Sequence, residues 1–503
     1  MDLIDGASVL EASSLLFSNP LVWIVVPVGI LIGLVFGAIP GLSIPIAMAV
    51  CLPATFGMDL ISAVLLLTAI FTGGAFGTAI PAVLMNVPGT AGSVATCFDG
   101  YPMTLKGRHN EALGLGLAAS ATGSLIGYIV LFLLIDSIAG WVLMLGPPEM
   151  FMLIVWGIAL IAVLSDGNLW KGLLTGITGL LLGTIGISAE GLERGTLGSV
   201  HLLDGIPIVP AMIGLFAAPE LFGLLRREYI IVDASARGTS VRRILEGFRS
   251  AFGYPVTLLR GGLIGVGIGA LPGVGAAIAS LVSYAAAKRP DGMFGKGDPE
   301  GIIAAESANS SSEGGSLGTL LALGIPGGSA GAVMLGALAM HNVTGGPRFL
   351  AENQHIVYAI IIGNFVQVLA LFAIGLAFIP LAGRLVSVPS RILVPIVLML
   401  TILGSYALTS NIAGPVTVVL AGLAGCFLGR YNYPVAPMVI GLLLGRAAEG
   451  ELLRSYQLAG GDITFILSRP IVLVMLILTA IFLLVRRYIN MKRSARTPQS
   501  ASH

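Results

Sequence analysis

Residues 33–42 read G-L-V-F-G-A-I-P-G-L, and residues 265–274 read G-V-G-I-G-A-L-P-G-V. Each is followed by a second matching block, T-G-G-A-F-G-T at 72–78 and E-G-G-S-L-G-T at 313–319, and by a third, N-V-P-G-T at 86–90 and G-I-P-G-G at 324–328. The apolar runs 21–56 and 256–287 that hold the first block are longer than the roughly 20 residues of one membrane span. Proline removes a backbone donor and crowds the preceding turn, while glycine tolerates the resulting dihedrals, so a helix break is predicted at Gly37–Gly41 and another at Gly269–Gly273. A kinked helix, or two helices joined by a tight turn, is the plainer alternative for either break alone. A matched pair of Gly/Pro-interrupted apolar segments is the sequence pattern of a transporter's substrate site.

The composition agrees. Of 503 residues 56% are hydrophobic and 10% charged, and the mean hydropathy is +0.97, where soluble domains carry roughly a quarter charged residues. The chain reads as a polytopic membrane protein held in a lipid bilayer. A net charge of +1 gives no concentrated cationic face for nucleic acid. Cys51, Cys97 and Cys426 lie in apolar surroundings without C-x-x-C spacing and read as structural thiols. The N-terminus lacks a basic region followed by a cleavage site, so the first apolar segment is expected to be retained.

Lysine and arginine placement sets the expected topology. The link with Arg226, Arg227, Arg237, Arg242, Arg243, Arg249 and Arg260, and the tail with Arg486, Arg487, Lys492, Arg493 and Arg496, read as cytoplasmic. So do the loops marked by Lys106 and Arg108, by Arg384 and Arg391, and by Arg430. The acidic N-terminus permits a periplasmic location. The loop near Asp136 and its counterpart near Arg384 then fall on opposite sides, so the expected fold class is an all-α polytopic membrane protein of two inverted-topology repeats with broken helices and re-entrant hairpins. A parallel arrangement of the repeats stays open. One extra C-terminal transmembrane helix, 471–485, completes the count. The expected divisions are a periplasmic segment 1–19, a first repeat 20–225, a basic cytoplasmic linker 226–255, a second repeat 256–450, a loop and extra helix 451–488, and a cytoplasmic tail 489–503.

Two polar, glycine-rich stretches downstream of the breaks are expected to form the hairpins. Helix N-termini meeting at such tips favour an anion, so Ser43, Thr72, Asn86, Pro88, Gly89, Thr90, Asn309, Ser310, Ser311, Ser312, Gly327 and Gly328 are candidates for substrate binding. Unwound carbonyls and hydroxyls suit a hard cation such as sodium, with Gly37, Pro40, Gly41, Gly77, Thr78, Gly269, Pro272, Gly273 and Thr319 as candidate ligands. Loops in water are the alternative for both stretches. Glu306 and Glu313 are candidates for ion coupling, because acids at membrane depth are costly and mark ion pathways. Arg446 reads as a helix-end cation that snorkels, or that pairs with Glu449 or with substrate.

The joint motif set, G-A-I-P-G-L at 37–42, the T-G-G-A-F-G-T and N-V-P-G-T-A blocks, D-G-Y-P at 99–102, and A-E-S-A-N-S-S-S-E-G-G at 305–315 with G-I-P-G-G, resembles the large membrane subunit of the tripartite tricarboxylate transporters, the TctA family, over nearly the whole chain. The resemblance implies ion-driven uptake of an organic di- or tricarboxylate across a bacterial inner membrane, with a small membrane subunit (TctB-like) and a periplasmic solute-binding protein (TctC-like) as partners. It implies no cofactor beyond a coupling ion, for which sodium is the expectation. An enzyme is disfavoured, since His109, His201, His341, His355 and His503 show no H-E-x-x-H spacing. An inverted-repeat channel, or a permease that needs no binding protein, is the alternative transport reading.

Overall fold

The computed structural model describes residues 5–39, 42–142, 145–164, 169–188, 191–225, 240–272, 275–289, 293–385, 390–462 and 464–477. It is helical almost throughout. The first half contains α1 (Gly6–Ser18), α2 (Val22–Ala38), α3 (Ile44–Cys51), α4 (Leu60–Gly77), α5 (Ala79–Met85), α6 (Val94–Leu105), α7 (His109–Val142), α8 (Pro147–Leu164), α9 (Leu169–Gly183) and α10 (Ile208–Leu225). The second contains α11 (Val241–Ala251), α12 (Pro255–Gly269), α13 (Gly275–Ala287), α14 (Pro299–Leu323), α15 (Ser329–Met340), α16 (Pro347–Glu352), α17 (Gln354–Leu385), α18 (Ser390–Thr409), α19 (Ala413–Arg430), α20 (Val435–Leu458) and α21 (Thr464–Ser468). One departure from an all-helical chain is a two-residue antiparallel pair, β1 (Gly186–Ile187) with β2 (Glu193–Arg194).

Among the described residues, Leu60–Met85, His109–Ile138, Gln354–Ala382 and Ala413–Arg430 are long and apolar enough to cross a membrane. Two further pairs pass that test together but are sharply bent, α1 with α2 by 80° and α11 with α12 by 79°. Among the described residues of the basic link, Val241 to Ala251 form a packed helix. It buries Ile244, Gly247 and Ala251, and it lies on α7 as α1 lies on α17. Of the expected extra helix, residues 471–477 are helical; its remainder, the tail arginines, and Arg226, Arg227 and Arg237 fall outside the described residues.

Both helix breaks exist. α2 stops at Ala38 and the chain resumes helix at Ile44; α12 stops at Gly269 and resumes at Gly275. The hairpin reading needs correcting on two points. Thr72, Gly77 and Thr78 lie along α4 and at its end, and Asn309–Thr319 lie inside the unbroken 25-residue helix α14. Only 86–90 and 324–328 form turns. Glycine content had suggested loops, but here it serves close helix packing. Asp136 likewise sits within α7 rather than in a loop, accepting from Gln354 Nε2 and Tyr358 OH at 2.6 Å each and from the Asp5 amide at 3.1 Å.

Helices pack through glycine because lipid offers no hydrophobic drive between them, and small residues let backbones touch. A Cβ on Gly33 would overlap the Ile70 carbonyl of α4, and one on Gly73 would overlap the Ile30 carbonyl of α2. Gly265 and Gly269 meet α14 at Ala308, Ser311 and Ser312, while Gly315 meets Val266 in return. Packing partners are exchanged between the halves: α2 lies along α4 as α12 lies along α14, α7 packs on α14 as α17 packs on α4, and α9 on α20 as α10 on α19.

Gly33→Ala is expected to destabilise the protein by about 1–3 kcal/mol through overpacking. Gly267→Ala, where an added Cβ meets nothing within 4 Å, should be neutral or gain up to ~1 kcal/mol from helix propensity. Thermal unfolding in detergent compares the two, and equal midpoints would refute the packing account.

Candidate functional site

Thr72 and Glu313 hold the same place in the two copies of the second block, and they touch. Thr72 Oγ1 donates to Glu313 Oε2 at 2.9 Å and lies 3.0 Å from Tyr128 OH. Four residues before Glu313, Asn309 Nδ2 donates to the carbonyl of Ala75, three residues after Thr72, at 3.2 Å. Ascending α4 thus means descending α14, so these two helices run antiparallel. Against α7 the sense is opposite: Ser120 Oγ reaches Glu306 Oε2 at 3.1 Å while Tyr128 stands beside Glu313, so α7 and α14 are parallel.

The result is a polar seam inside the bundle. Glu306 is fully buried and accepts from Thr96 Oγ1 and from Ser120 Oγ. Glu313 is 1% exposed. Beyond it, Gln367 Nε2 donates to Thr68 Oγ1 at 2.7 Å and to the Leu65 carbonyl at 3.0 Å. Four buried side chains in this region retain polar atoms without a partner: Ser124 Oγ, Ser310 Oγ, Glu313 Oε1, and both ends of the Asn364 amide. Among the described residues no lysine, arginine or histidine pairs with Glu306 or Glu313.

The tips flank the same helix. Asn86, at φ 57°, closes α5 in the left-handed region, and Gly324, at φ 68°, closes α14 in the same way. Gly89 then folds back so that a Cβ would lie 2.9 Å from the Gly37 carbonyl, and a Cβ on Gly327 would lie 2.8 Å from the Gly269 carbonyl. Each turn therefore covers its own helix break. Gly92 abuts Asn309 and Gly327 abuts Ser316, seven residues apart and so about 10 Å along α14. The turns approach α14 at two levels rather than meeting at one point.

The other expected site residues divide clearly. Ser43 precedes α3, half-buried, with no side-chain cap bond, and Asn86 and Pro88 are exposed on the first turn. Thr90 and Ser93 form a capping box. Ser311 and Ser312 face α12 and bond back to the Ala308 and Asn309 carbonyls. Thr78 Oγ1 donates to Ala75 O at 2.9 Å, and Thr319 Oγ1 donates at 2.8 Å to Ala270 O, a carbonyl freed by the second break. Gly37, Gly77 and Gly269 are packing glycines. Pro272 is buried beside the break, and Gly328 has open space around it. Pro40, Gly41 and Gly273 lie outside the described residues.

Arg446 donates to the Asp204 carbonyl, and Glu449 is held by Arg194, so of the readings open for Arg446 the pair with Glu449 is not formed. Sequence reasoning passed over Thr96, Ser120, Ser124, Tyr128, Asn364 and Gln367. Their signal was polar side chains at helical spacing in apolar spans, as in Ser120, Ser124 and Tyr128 on α7. Asp99, from D-G-Y-P, is a buried anchor: Oδ1 accepts the Gly297 and Asp298 amides at 2.8 Å each, and Oδ2 accepts Tyr284 OH at 2.9 Å.

The family model described as "Tripartite tricarboxylate transporter TctA family" matches residues 23–440. The chain is 33% identical over 482 residues to an uncharacterized 52.8 kDa protein in the TAR-I ttuC' 3' region of Agrobacterium vitis, covering 94% of this chain and 93% of that protein. It is also 30% identical over 207 residues to an uncharacterized protein in the TAR-II ttuC' 3' region of the same organism, covering 41% of this chain and 86% of that protein. No solved structure matches.

Thr72→Val keeps the shape of the side chain but removes the donor to Glu313, and is expected to cost about 1–3 kcal/mol for the buried acceptor left short of a partner. Thr72→Ser should recover most of it. Unfolding midpoints of the three proteins check this, and a valine variant as stable as wild type would contradict it.

Proposed function

The chain belongs to the tripartite tricarboxylate transporter TctA family, which makes it a transport subunit rather than an enzyme, and on that premise we propose that it imports an organic di- or tricarboxylate by cation-coupled alternating access. The observation that carries the reading is the meeting of the duplicated blocks at Thr72 and Glu313 in antiparallel helices. A two-fold axis along the membrane normal leaves equivalent helices parallel; one in the membrane plane reverses them. The contact therefore supports inverted repeats, the arrangement in which two halves rock or slide about a midplane site.

The substrate site in this reading lies along the turns 86–90 and 324–328 and the breaks they cover. A carboxylate there would be held by turn amides, hydroxyls and the Asn86 amide, with a co-bound cation offsetting its charge. Sodium is the proposed ion. Residues fit to hold it are those with oxygen donors not fully engaged, Glu313 and Ser310 first. The remaining elements are a periplasmic solute-binding protein that delivers substrate, a small membrane subunit, an inner-membrane location and a periplasmic N-terminus.

Two measurements test the reading. With native cysteines removed, Ser18→Cys and Gly253→Cys, at the two equivalent helix bends and both exposed, should react with an impermeant maleimide from opposite faces of the membrane. Same-side labelling would exclude inverted repeats. In proteoliposomes holding all subunits, radiolabelled citrate-like carboxylates should enter with an inward sodium gradient. Asn86→Ala and Asn86→Gly should both slow entry at least about tenfold, the loss expected when a site built for a polar contact loses it. Glycine keeps the left-handed turn, so a glycine variant with wild-type uptake would remove the Asn86 side chain from the site.

A further inference from the structure

We propose that Glu313, Ser310 and Ser124 form a monovalent cation site, occupied by sodium, on the seam between α7 and α14. The proposal rests on the cation-coupled reading above and completes its ion site with Ser124 of α7.

Three facts converge on it. Ser310 stands four residues after Glu306 and three before Glu313, so it lies on the same face of α14 between the two acids. Ser124 stands four residues after Ser120, which bonds Glu306, and four before Tyr128, which shares Thr72 Oγ1 with Glu313, so it lies at the matching level of the parallel helix α7. All three residues are 1% exposed, and Ser124 Oγ, Ser310 Oγ and Glu313 Oε1 are the atoms left without partners there. Buried polar atoms are rarely orphaned, and three orphans at neighbouring levels of one helix seam point to an occupant.

The chemistry selects the occupant. A water molecule would satisfy the hydroxyls but would give an ionised Glu313 no counter-charge, and a buried unpaired charge costs far more than a lost hydrogen bond. Thr72 and Tyr128 already flank the other oxygen of Glu313, so the free Oε1 is where positive charge belongs. One carboxylate oxygen with two neutral hydroxyl oxygens suits a singly charged hard cation. Glu306 stands about 10 Å away along α14 and is engaged by its own donors, so a divalent ion lacks its second carboxylate. Water completes the shell.

The test uses the purified full chain in detergent without substrate, titrated with sodium chloride against choline chloride at constant ionic strength, with 22Na+ binding and the unfolding midpoint as readouts. Wild type should bind one equivalent and gain thermal stability as sodium rises. Ser310→Ala and Ser124→Ala should each raise the half-saturating sodium at least about tenfold, and Glu313→Gln should abolish the response. Unshifted sodium binding in both serine variants overturns the site, even if Glu313→Gln fails to fold. A wild-type midpoint that moves with pH but not with sodium overturns it too, assigning the seam to protons. Sodium-driven uptake in proteoliposomes, measured separately, tells failure of this site from failure of sodium coupling itself.

Discussion

The rest of the molecule depends on one buried contact, the hydrogen bond from Thr72 to Glu313 between antiparallel copies of the same motif. In the proposed inverted-repeat arrangement, the axis relating the halves passes beside this contact, at the centre of the α4 and α14 pair. The partner exchange follows from it: α7 supports α14 as α17 supports α4, and α12 lies along α14 as α2 lies along α4. It also concentrates polarity, because α14 is buried from Glu300 to Ala322 and carries three acids, an asparagine and five serines through an otherwise apolar bundle.

Such a core is held together by shape more than by polarity. Carbonyls of one helix lie where Cβ atoms of the next would stand, at Gly33, Gly73, Gly123, Gly265, Gly269 and Gly315. The close approach gains dispersion contacts and lets side chains such as Ser307 reach a neighbouring helix carbonyl, here Leu258 O at 2.8 Å. At the ends of the seam, ionic anchors take over. Glu300 lies 2.5 Å from both Arg289 Nη2 and Thr257 Oγ1, and Glu149, 1% exposed, pairs with Arg469 at 2.6 Å. Among the described residues, Glu306 and Glu313 near the middle have no such basic partner.

The helix breaks and turns play complementary parts. A break frees backbone carbonyls that need partners, and each is covered from its own half: Gly89 closes on Gly37, Gly327 on Gly269, and Thr319 bonds Ala270 O. Irregular backbone at depth is thereby buried in protein, as it must be in lipid. Covering contacts made by short turns rather than by long helices are the ones that can open without dismantling the bundle.

Membrane class, the duplicated motifs, the two breaks, and the depth of Glu306 and Glu313 were legible in the amino-acid sequence, because apolar length, Gly/Pro disruption and an acid within an apolar span are local properties. The family was legible for the same reason, in contiguous motifs. The roles of the glycines and serines were not. T-G-G-A-F-G-T and N-S-S-S-E-G-G read locally as loops, and only a neighbouring helix, whose backbone occupies the space a Cβ would need, turns them into helix interior. Nor could spacing along the chain bring Ser120, Ser124 and Tyr128 to Glu306 and Glu313, since that seam depends on α7 and α14 lying parallel across nearly two hundred residues of intervening chain. Periodicity specifies which face of each helix is polar; which two faces meet, and in what sense, is settled by packing alone.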